Sequence, residues 1–491
     1  MGHSILAFDF GASSGRAMLG SFDGERLQLR EVHRFENNPV QMRGTFYWDA
    51  PALFREIKRG MEKACACGGF DSVGIDTWGV DFGLLDRRGD LMQNPVHYRD
   101  TRTAGTLEQV DRIVGREKLY RMTGIQLMEI NTLFQLYALQ QNNPELLKRA
   151  DCALLMPDLF GYLLTGRKTA EYSIASTTQM LDPGTKNWNG ELAESLGLPS
   201  HIFPDVAAAG TVLGPLLPEI RRETGAGEAN VISVAGHDTA CAVFSTPTPE
   251  DDFIFISCGT WSLFGTELQS PIISPESRKD NMTNEGGYGW TTTFLKNITG
   301  LWLIQETRRQ YRREGKEYSF DDLEKGAAES PAFGCFIDPN DPLFSAPGDL
   351  PSRIADYCGK TGQKVPETMG ETMRCIYESL AMEYRFNLEQ IRRCTGKEYG
   401  TVHLMGGGAR DATLCRMTAD STGCKVIAGP VEATAMGNAA IQFVTLGVIP
   451  DKKTARRVIR NSFSPVEYLP QEREAWNGAF ERYCAVTKKT V

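Results

Sequence analysis

No stretch of this chain comes near 18 uncharged apolar residues. The nearest, VIAGPVEATAMGNAAIQFVTLGVIP (426–450), is interrupted by Pro430, Glu432, Asn438 and Gln442, which excludes it as a membrane-spanning helix. The opening MGHSILAFDFG has no basic stretch ahead of a long apolar one, and Asp9 breaks the only candidate. A secretory leader is therefore not expected, and the expected location is the cytoplasm. Positive charge is also short: 53 Lys and Arg against 62 Asp and Glu leave a formal net charge of −9, no footprint for nucleic acid or an anionic membrane. Twelve cysteines and six histidines are present in no ligand pattern. Cys65 and Cys67 stand alone, Cys415 and Cys424 lie nine apart, and the histidines are scattered. No zinc site is expected, and the thiols read as ordinary ones in a reducing compartment.

The common nucleotide signatures are missing too. Gly359-Lys360-Thr361 resembles the end of a Walker A loop, but its first glycine would fall at Ile354. A dinucleotide G-x-G-x-x-G starting at Gly406 would need its third glycine at Asp411. The catalytic loop H-R-D-x-x-x-x-N of protein kinases does not occur.

What is present is a repeated device. The 491 residues, 41% hydrophobic and 23% charged, are enough for two large domains. An apolar strand at 5–10 runs into FGASSGR, and RAMLGSF after it is again strand-like, not helical. A third strand follows at 27–35, then a helix at about 50–66 and a strand region at 72–86. Helices are expected at 131–147 and 156–166, and 230–244 reads as a strand turning into a helix. The pattern then returns in DFIFISCGTWSLFGTEL (252–268): aligning Gly11 with Gly259 puts Ser257 where the first copy has Asp9. Two related halves follow, divided near STPTPEDD (245–252), as domains 1–247 and 248–491. In the second half helices are expected near 300–315 and 366–394, with a surface loop at 336–353 between them. HLMGGGAR (403–410) is a glycine turn between a strand and a helix, and 433–447 is a small-residue helix. Two strand–turn–strand loops with Ser13, Ser14, Thr260 and Ser262, plus the glycine turn at 406–408, offer N–H and hydroxyl donors to a polyphosphate.

In this order FDFGASSGR, ISCGTWSLFG and HLMGGGAR resemble the two phosphate motifs and the adenosine motif of the actin/hexokinase/heat-shock chaperone superfamily. Across essentially the whole chain, with GIDTWGVDF, HDTACAV, NEGG and LKNITGLWL, the sequence resembles the FGGY family of carbohydrate kinases. The resemblance implies an α/β fold of two related ribonuclease-H-like domains (actin-like ATPase fold) with an ATP/sugar cleft between them, the first mainly binding sugar and the second mainly ATP. It implies ATP-dependent phosphorylation of O1 of L-rhamnulose, or of another ketose such as xylulose, ribulose or fuculose. The rival class is a non-catalytic sugar- or ATP-binding protein of the same fold; a sensor would be expected to carry a helix-turn-helix, for which the phosphate strand at the start leaves no room.

Residue by residue, the resemblance makes Asp238 the base, flanked by His237 and Thr239, and places Gly79 and Asn297 at the sugar. Ala12, Ser13, Ser14, Gly15, Arg16, Thr260, Gln305, Gly407 and Gly408 carry over as ATP contacts. Asp9 would hold Mg²⁺ through water. On the residues alone, Asp238 also reads as a helix cap, Asp9 as a turn residue, and Arg16 as either a phosphate contact or a hairpin anchor. Trp78 reads more readily as core than as a contact for a 6-deoxy methyl group, and Asp411 stands where the adenosine turn often carries Asn or Ser.

Overall fold

The computed structural model describes residues 3–490. The chain forms two compact units. The first comprises Met1–Pro249, Glu267–Phe294 and Ala433–Ser462; the second comprises Glu250–Thr266, Leu295–Glu432 and Phe463–Val491.

The first unit is built on a six-stranded sheet. Its order is Thr211–Pro215, Asn230–Ser233, Ser72–Thr77, Ser4–Phe10, Ser14–Phe22, Leu27–Glu36. The three middle neighbours Asn230–Ser233, Ser72–Thr77 and Ser4–Phe10 run parallel, and the outer pairings are antiparallel. Ser4–Phe10 and Ser72–Thr77 are buried almost throughout, as central parallel strands require. The helix Ala50–Ala66 starts on an Asp49 cap with Pro51 in its first turn, and buries Leu53, Ile57, Met61 and Ala64 along one stripe.

The other sheet face is met by a helix from far along the chain, Ala433–Thr445. Its small residues allow close packing: a Cβ on Gly437 would lie 1.9 Å from the Cys241 carbonyl oxygen of the helix Asp238–Phe244. Two buried amides one turn apart fasten it to the sheet. Asn438 Nδ2 donates to Asp76 (2.6 Å), Gln442 Nε2 donates to the Leu6 carbonyl (3.1 Å), and Ser72 donates to Gln442 Oε1 (2.7 Å). Paired in this way, the polar side chains cost little to bury and fix the helix register.

The second unit repeats the plan. The strands Thr292–Thr299, Trp261–Leu268, Ile254–Cys258, Thr401–Met405, Lys425–Ala428 and Val466–Tyr468 are successive neighbours in its sheet. Ile254–Cys258 pairs antiparallel with Trp261–Leu268 and parallel with Thr401–Met405; Lys425–Ala428 continues parallel and Val466–Tyr468 closes antiparallel. From Val466–Tyr468 to Trp261–Leu268 the strand directions match those from Thr211–Pro215 to Ser14–Phe22 in the first sheet. The 27-residue helix Met369–Thr395 opens with a Thr368/Glu371 capping box.

Several expected elements differ in detail. The helix at 131–147 is two, Thr132–Asn142 and Pro144–Arg149, because Pro144 cannot continue the first and Asn143 caps the second. The region 72–86 is two strands, Ser72–Thr77 and Phe82–Leu85, parted at Trp78–Asp81. The loop at 336–353 ends earlier, since Asp349 caps a helix, Leu350–Lys360. None of the twelve cysteines is paired in a disulfide. Three buried ones, Cys335, Cys358 and Cys375, bring their sulfurs within 4.8 Å of one another, a cluster that their distant spacing concealed. Among the described residues no helix is long and apolar enough to cross a membrane.

Candidate active site

In the first unit the hairpin Ser4–Phe22 pairs Asp9 with Arg16 across its strands and with Asp76 on the parallel side. Arg16 donates to Asp9 Oδ2 from Nε (3.1 Å) and Nη2 (2.8 Å), so it anchors the hairpin. The turn between them closes with the Gly11 N–H on the Ser14 carbonyl (2.9 Å) and is braced by Asn37, whose side chain donates to the Gly11 carbonyl (3.1 Å). Ser13 and Ser14 are exposed at its tip, Ala12 is half-buried, and Gly15 is buried.

Asp76 is fully buried. Its Oδ2 accepts from Asn438, while Oδ1 has no hydrogen-bond partner among the described residues. Burial raises its pKa well above the usual range; the charges of Asp9 and Asp238 push the same way, against the Asn438 hydrogen bond.

Asp238 opens the helix Asp238–Phe244 directly beyond the strand Asn230–Ser233. The turn is laid along the neighbouring strand, with the Thr77 N–H on the Gly236 carbonyl (2.9 Å) and Thr77 bridged to His237. Asp238 caps nothing deeper in the helix. Its Oδ1 accepts from the Thr239 N–H (2.6 Å) and Oγ1 (3.2 Å), which sets its orientation. Its side chain keeps 34% of its surface, so the desolvation it feels comes from a crowded wall, not full enclosure. That desolvation and the charge of Asp9 raise its pKa, opposed by His237 and Thr239.

His237 is buried between two carboxylates. Nδ1 lies 3.2 Å from Glu285 Oε2 and Nε2 lies 3.4 Å from Asp238 Oδ1. Burial disfavours the imidazolium, but the adjacent Glu285 carboxylate and the charges of Asp238 and Glu171 outweigh it, and the pKa is raised. Behind the turn, buried Glu171 accepts from the Gly236 N–H (2.9 Å), the Ser173 N–H (2.9 Å) and hydroxyl (2.5 Å), and the Ile174 N–H (3.1 Å).

Gly79 sits in the break after Ser72–Thr77. A Cβ there would lie 3.2 Å from Thr177, whose hydroxyl accepts from the Val80 N–H (3.1 Å). Val80 takes φ +68°, a strained value for a β-branched residue of the kind found at binding sites. Trp78 is core: it is 6% exposed, packs on Trp48 at 4.1 Å, and donates its indole N–H to Asp81 (3.0 Å).

In the second unit the Gly259–Thr260 turn closes with the Gly259 N–H on the Trp261 carbonyl (2.8 Å). Its carbonyls accept from the next segment: Thr260 O from the Gly300 (3.1 Å) and Trp302 (3.2 Å) N–H groups, Gly259 O from Leu301 (2.9 Å). Thr260 is thereby joined to the helix Trp302–Arg313 that carries half-buried Gln305. Half-buried Asn297 lies on the flanking strand Thr292–Thr299. The triple-glycine turn abuts the same hairpin. A Cβ on Gly408 would meet Cys258 Sγ at 2.3 Å, and Gly406 adopts φ +80° against the Cys258 carbonyl, whereas Gly407 has room, its nearest neighbour being 3.8 Å away. Asp411 caps the helix Ala412–Thr422 through the Leu414 N–H (2.8 Å) and accepts the Tyr377 hydroxyl (2.5 Å). Burial raises its pKa to about 6.

The first unit thus gathers Asp9, His237, Asp238 and Thr239 beyond or near the carboxyl ends of Ser4–Phe10 and Asn230–Ser233, with Arg16 opposite Asp9 near the amino end of the antiparallel Ser14–Phe22. The second gathers Thr260, Gly407 and Gly408 around one hairpin, with Gln305 on the helix joined to it. Sequence reasoning missed Asp76, Glu171 and Glu285. The first two lie in GIDTWGVDF and AEYSIAS; Glu285 lies in NEGG, a motif to which the sequence alone assigns no chemistry.

Family models for the N-terminal and C-terminal domains of FGGY carbohydrate kinases match residues 4–245 and 254–446. A rhamnulokinase of Bacteroides thetaiotaomicron is 41% identical over 481 residues, 98% of each chain. A rhamnulokinase of Halalkalibacterium halodurans is 42% identical over 471 residues, 96% of this chain and 99% of that one. Among solved structures, a xylulose kinase from Lactobacillus acidophilus superposes with a TM-score of 0.81 at 15% identity, covering 99% of this chain and 97% of that one. A Plasmodium falciparum glycerol kinase with ADP gives 0.78 at 14% identity, covering 100% and 99%. With paired domain models over most of its length and relatives of this identity along nearly all of it, the chain belongs to the FGGY family of carbohydrate kinases.

Proposed function

We propose that this chain transfers the γ-phosphoryl group of ATP to O1 of L-rhamnulose, releasing L-rhamnulose 1-phosphate and ADP in L-rhamnose catabolism. What carries the reading is the identity of about 40% to relatives named rhamnulokinase along nearly the whole chain. The geometry of the GHDT turn supports it. Asp238 is a part-exposed carboxylate held by Thr239 beside His237, as a base for a sugar hydroxyl must be.

In this reading Asp238 accepts the O1 proton as the oxygen bonds to phosphorus in line and the bond to the ADP oxygen breaks. His237, Thr239, Gly79 and Asn297 contact the ketose. Residues 12–16, Thr260, Gln305, Gly407 and Gly408 contact ATP. The charges of Asp9 and Asp238 raise the pKa of Asp76, and that of Asp9 raises the pKa of Asp238. A hard-oxygen set so crowded with negative charge suits Mg²⁺. Asp9 would hold the ion through water, and the ion's charge would offset that of the β- and γ-phosphates. The cytoplasm is the proposed location, in keeping with twelve cysteines none of which forms a disulfide.

An ADP-release assay over a panel of ketoses tests the substrate. L-rhamnulose should give the highest kcat/KM; a clear preference for xylulose, ribulose or fuculose would overturn the assignment.

A further inference from the structure

We propose that Glu285 is a positioning residue for the acceptor side of the reaction, acting through His237 on Asp238. The inference rests on the reading of Asp238 as the base.

The observations are geometric. Glu285, His237 and Asp238 form a line of carboxylate, imidazole and carboxylate, with contacts of 3.2 and 3.4 Å on the two ring nitrogens. Glu285 is 6% exposed and His237 8% exposed, so water offers the ring little alternative. The backbone that presents Glu285 is fastened on both sides. Asn284 receives the Ile272 N–H on Oδ1 (2.7 Å) and donates from Nδ2 to the carbonyls of Gly124 (2.9 Å) and Ile272 (3.1 Å). The Gly286 N–H donates to the Ser176 hydroxyl (2.7 Å), and a Cβ on Gly286 would lie 2.7 Å from the Tyr172 ring. Those asparagine and glycine roles account for the flanks of NEGG and leave its glutamate aimed at His237.

With the Glu285 carboxylate 3.2 Å from Nδ1, the charge on that side orients the ring and leaves Nε2 facing Asp238 at 3.4 Å, on the side where the acceptor hydroxyl must lie. The groups bearing on His237 are Glu285, Asp238 and Glu171, all acidic. In its cationic form the imidazole 3.4 Å from Asp238 favours the ionised carboxylate that accepts a proton, and it carries an N–H donor for a ketose oxygen.

The test is Glu285→Gln in the full chain, with Glu285→Asp beside it. A merely tilted ring should cost roughly ten- to a hundredfold in kcat/KM for the ketose. KM for ATP should stay within about twofold, and the acidic limb of the ketose pH profile should move to higher pH as Asp238 loses its cationic neighbour. Glu285→Asp, which keeps the charge, should recover part of the loss; it carries the test alone if Glu285→Gln fails to fold. Wild-type kcat, KM and pH profile in the variant that folds would overturn the inference, as would equal losses toward ATP and ketose with no shift of the profile. A normally active Asp238→Asn would instead sink the base assignment, whatever Glu285 does.

Discussion

The two hairpins share a fold and differ in charge. At the position before each turn the first has Asp9, flanked by Arg16 and Asp76; the second has Ser257, flanked by Leu263 and Met405. Strand directions and the parallel neighbour are the same and the second turn is one residue shorter, so the scaffold does not require the charges. One copy carries an ionic cluster in which Asp76 and Asp238 are each driven toward protonation by burial and by Asp9. The other is neutral and is shaped for close backbone approach by Gly406 and Gly408 over Cys258. A repeated plan thus serves two tasks by changing a handful of side chains.

The sharpest way to break the comparison is Asp238→Asn. It keeps size and Thr239 contacts but removes the proton acceptor, so kcat should fall roughly 10²–10⁴-fold while ATP and ketose still bind by calorimetry. Normal turnover would mean the charged half is not where the proton goes. In the wild type, a base raised by burial predicts kcat/KM for the ketose falling with acid at a pH above the ordinary carboxylate range, measured by ADP release.

Next, Asp9→Ser gives the first hairpin the residue of the second. Loss of one charged contact should raise the Mg²⁺ needed for half-maximal rate by about tenfold or more, read from a metal titration. An unchanged titration would return Asp9 to its role as the partner of Arg16.

In the neutral half, Gly408→Ala forces a methyl into the Cys258 sulfur and should cost about 1–3 kcal/mol in thermal unfolding. Gly407→Ala should cost much less, since that site has room. Equal effects would show that the turn, not the close approach, sets the requirement.

The smallest effect concerns Asp411. Its folded pKa near 6 lies above its ordinary value, so ionisation costs stability: nothing below about pH 4, growing between about pH 4 and 6, full above. Asp411→Asn keeps the cap and the Tyr377 bond, and by urea unfolding should stabilise by about 1 kcal/mol at about pH 8 and not at about pH 4.

Much of the fold was legible because apolar strands interrupted by glycine turns have a period that a sequence displays. Asp9, Asp238 and the glycines stand at turns, where spacing is informative. Asp76 was hidden inside a buried strand; its signal was the expense of a carboxylate among apolar neighbours. Glu171 resembles any residue ahead of a helix, and only the fold brings it beneath Gly236. Cys335, Cys358 and Cys375 meet through tertiary packing alone, for which no local rule exists. Likewise, nothing in ATAMGNAAIQF says that Asn438 and Gln442 bind strands from the start of the chain.

That last attachment has a consequence for synthesis. The second face of the first sheet is covered only by the helix Ala433–Thr445, so a ribosome that has just passed Pro249 has not yet made the piece that covers Asp76. At the ordinary pace of translation the gap from there to Thr445 lasts roughly 10–40 s. During it the nascent first half carries an uncovered sheet face and is a natural client for chaperones.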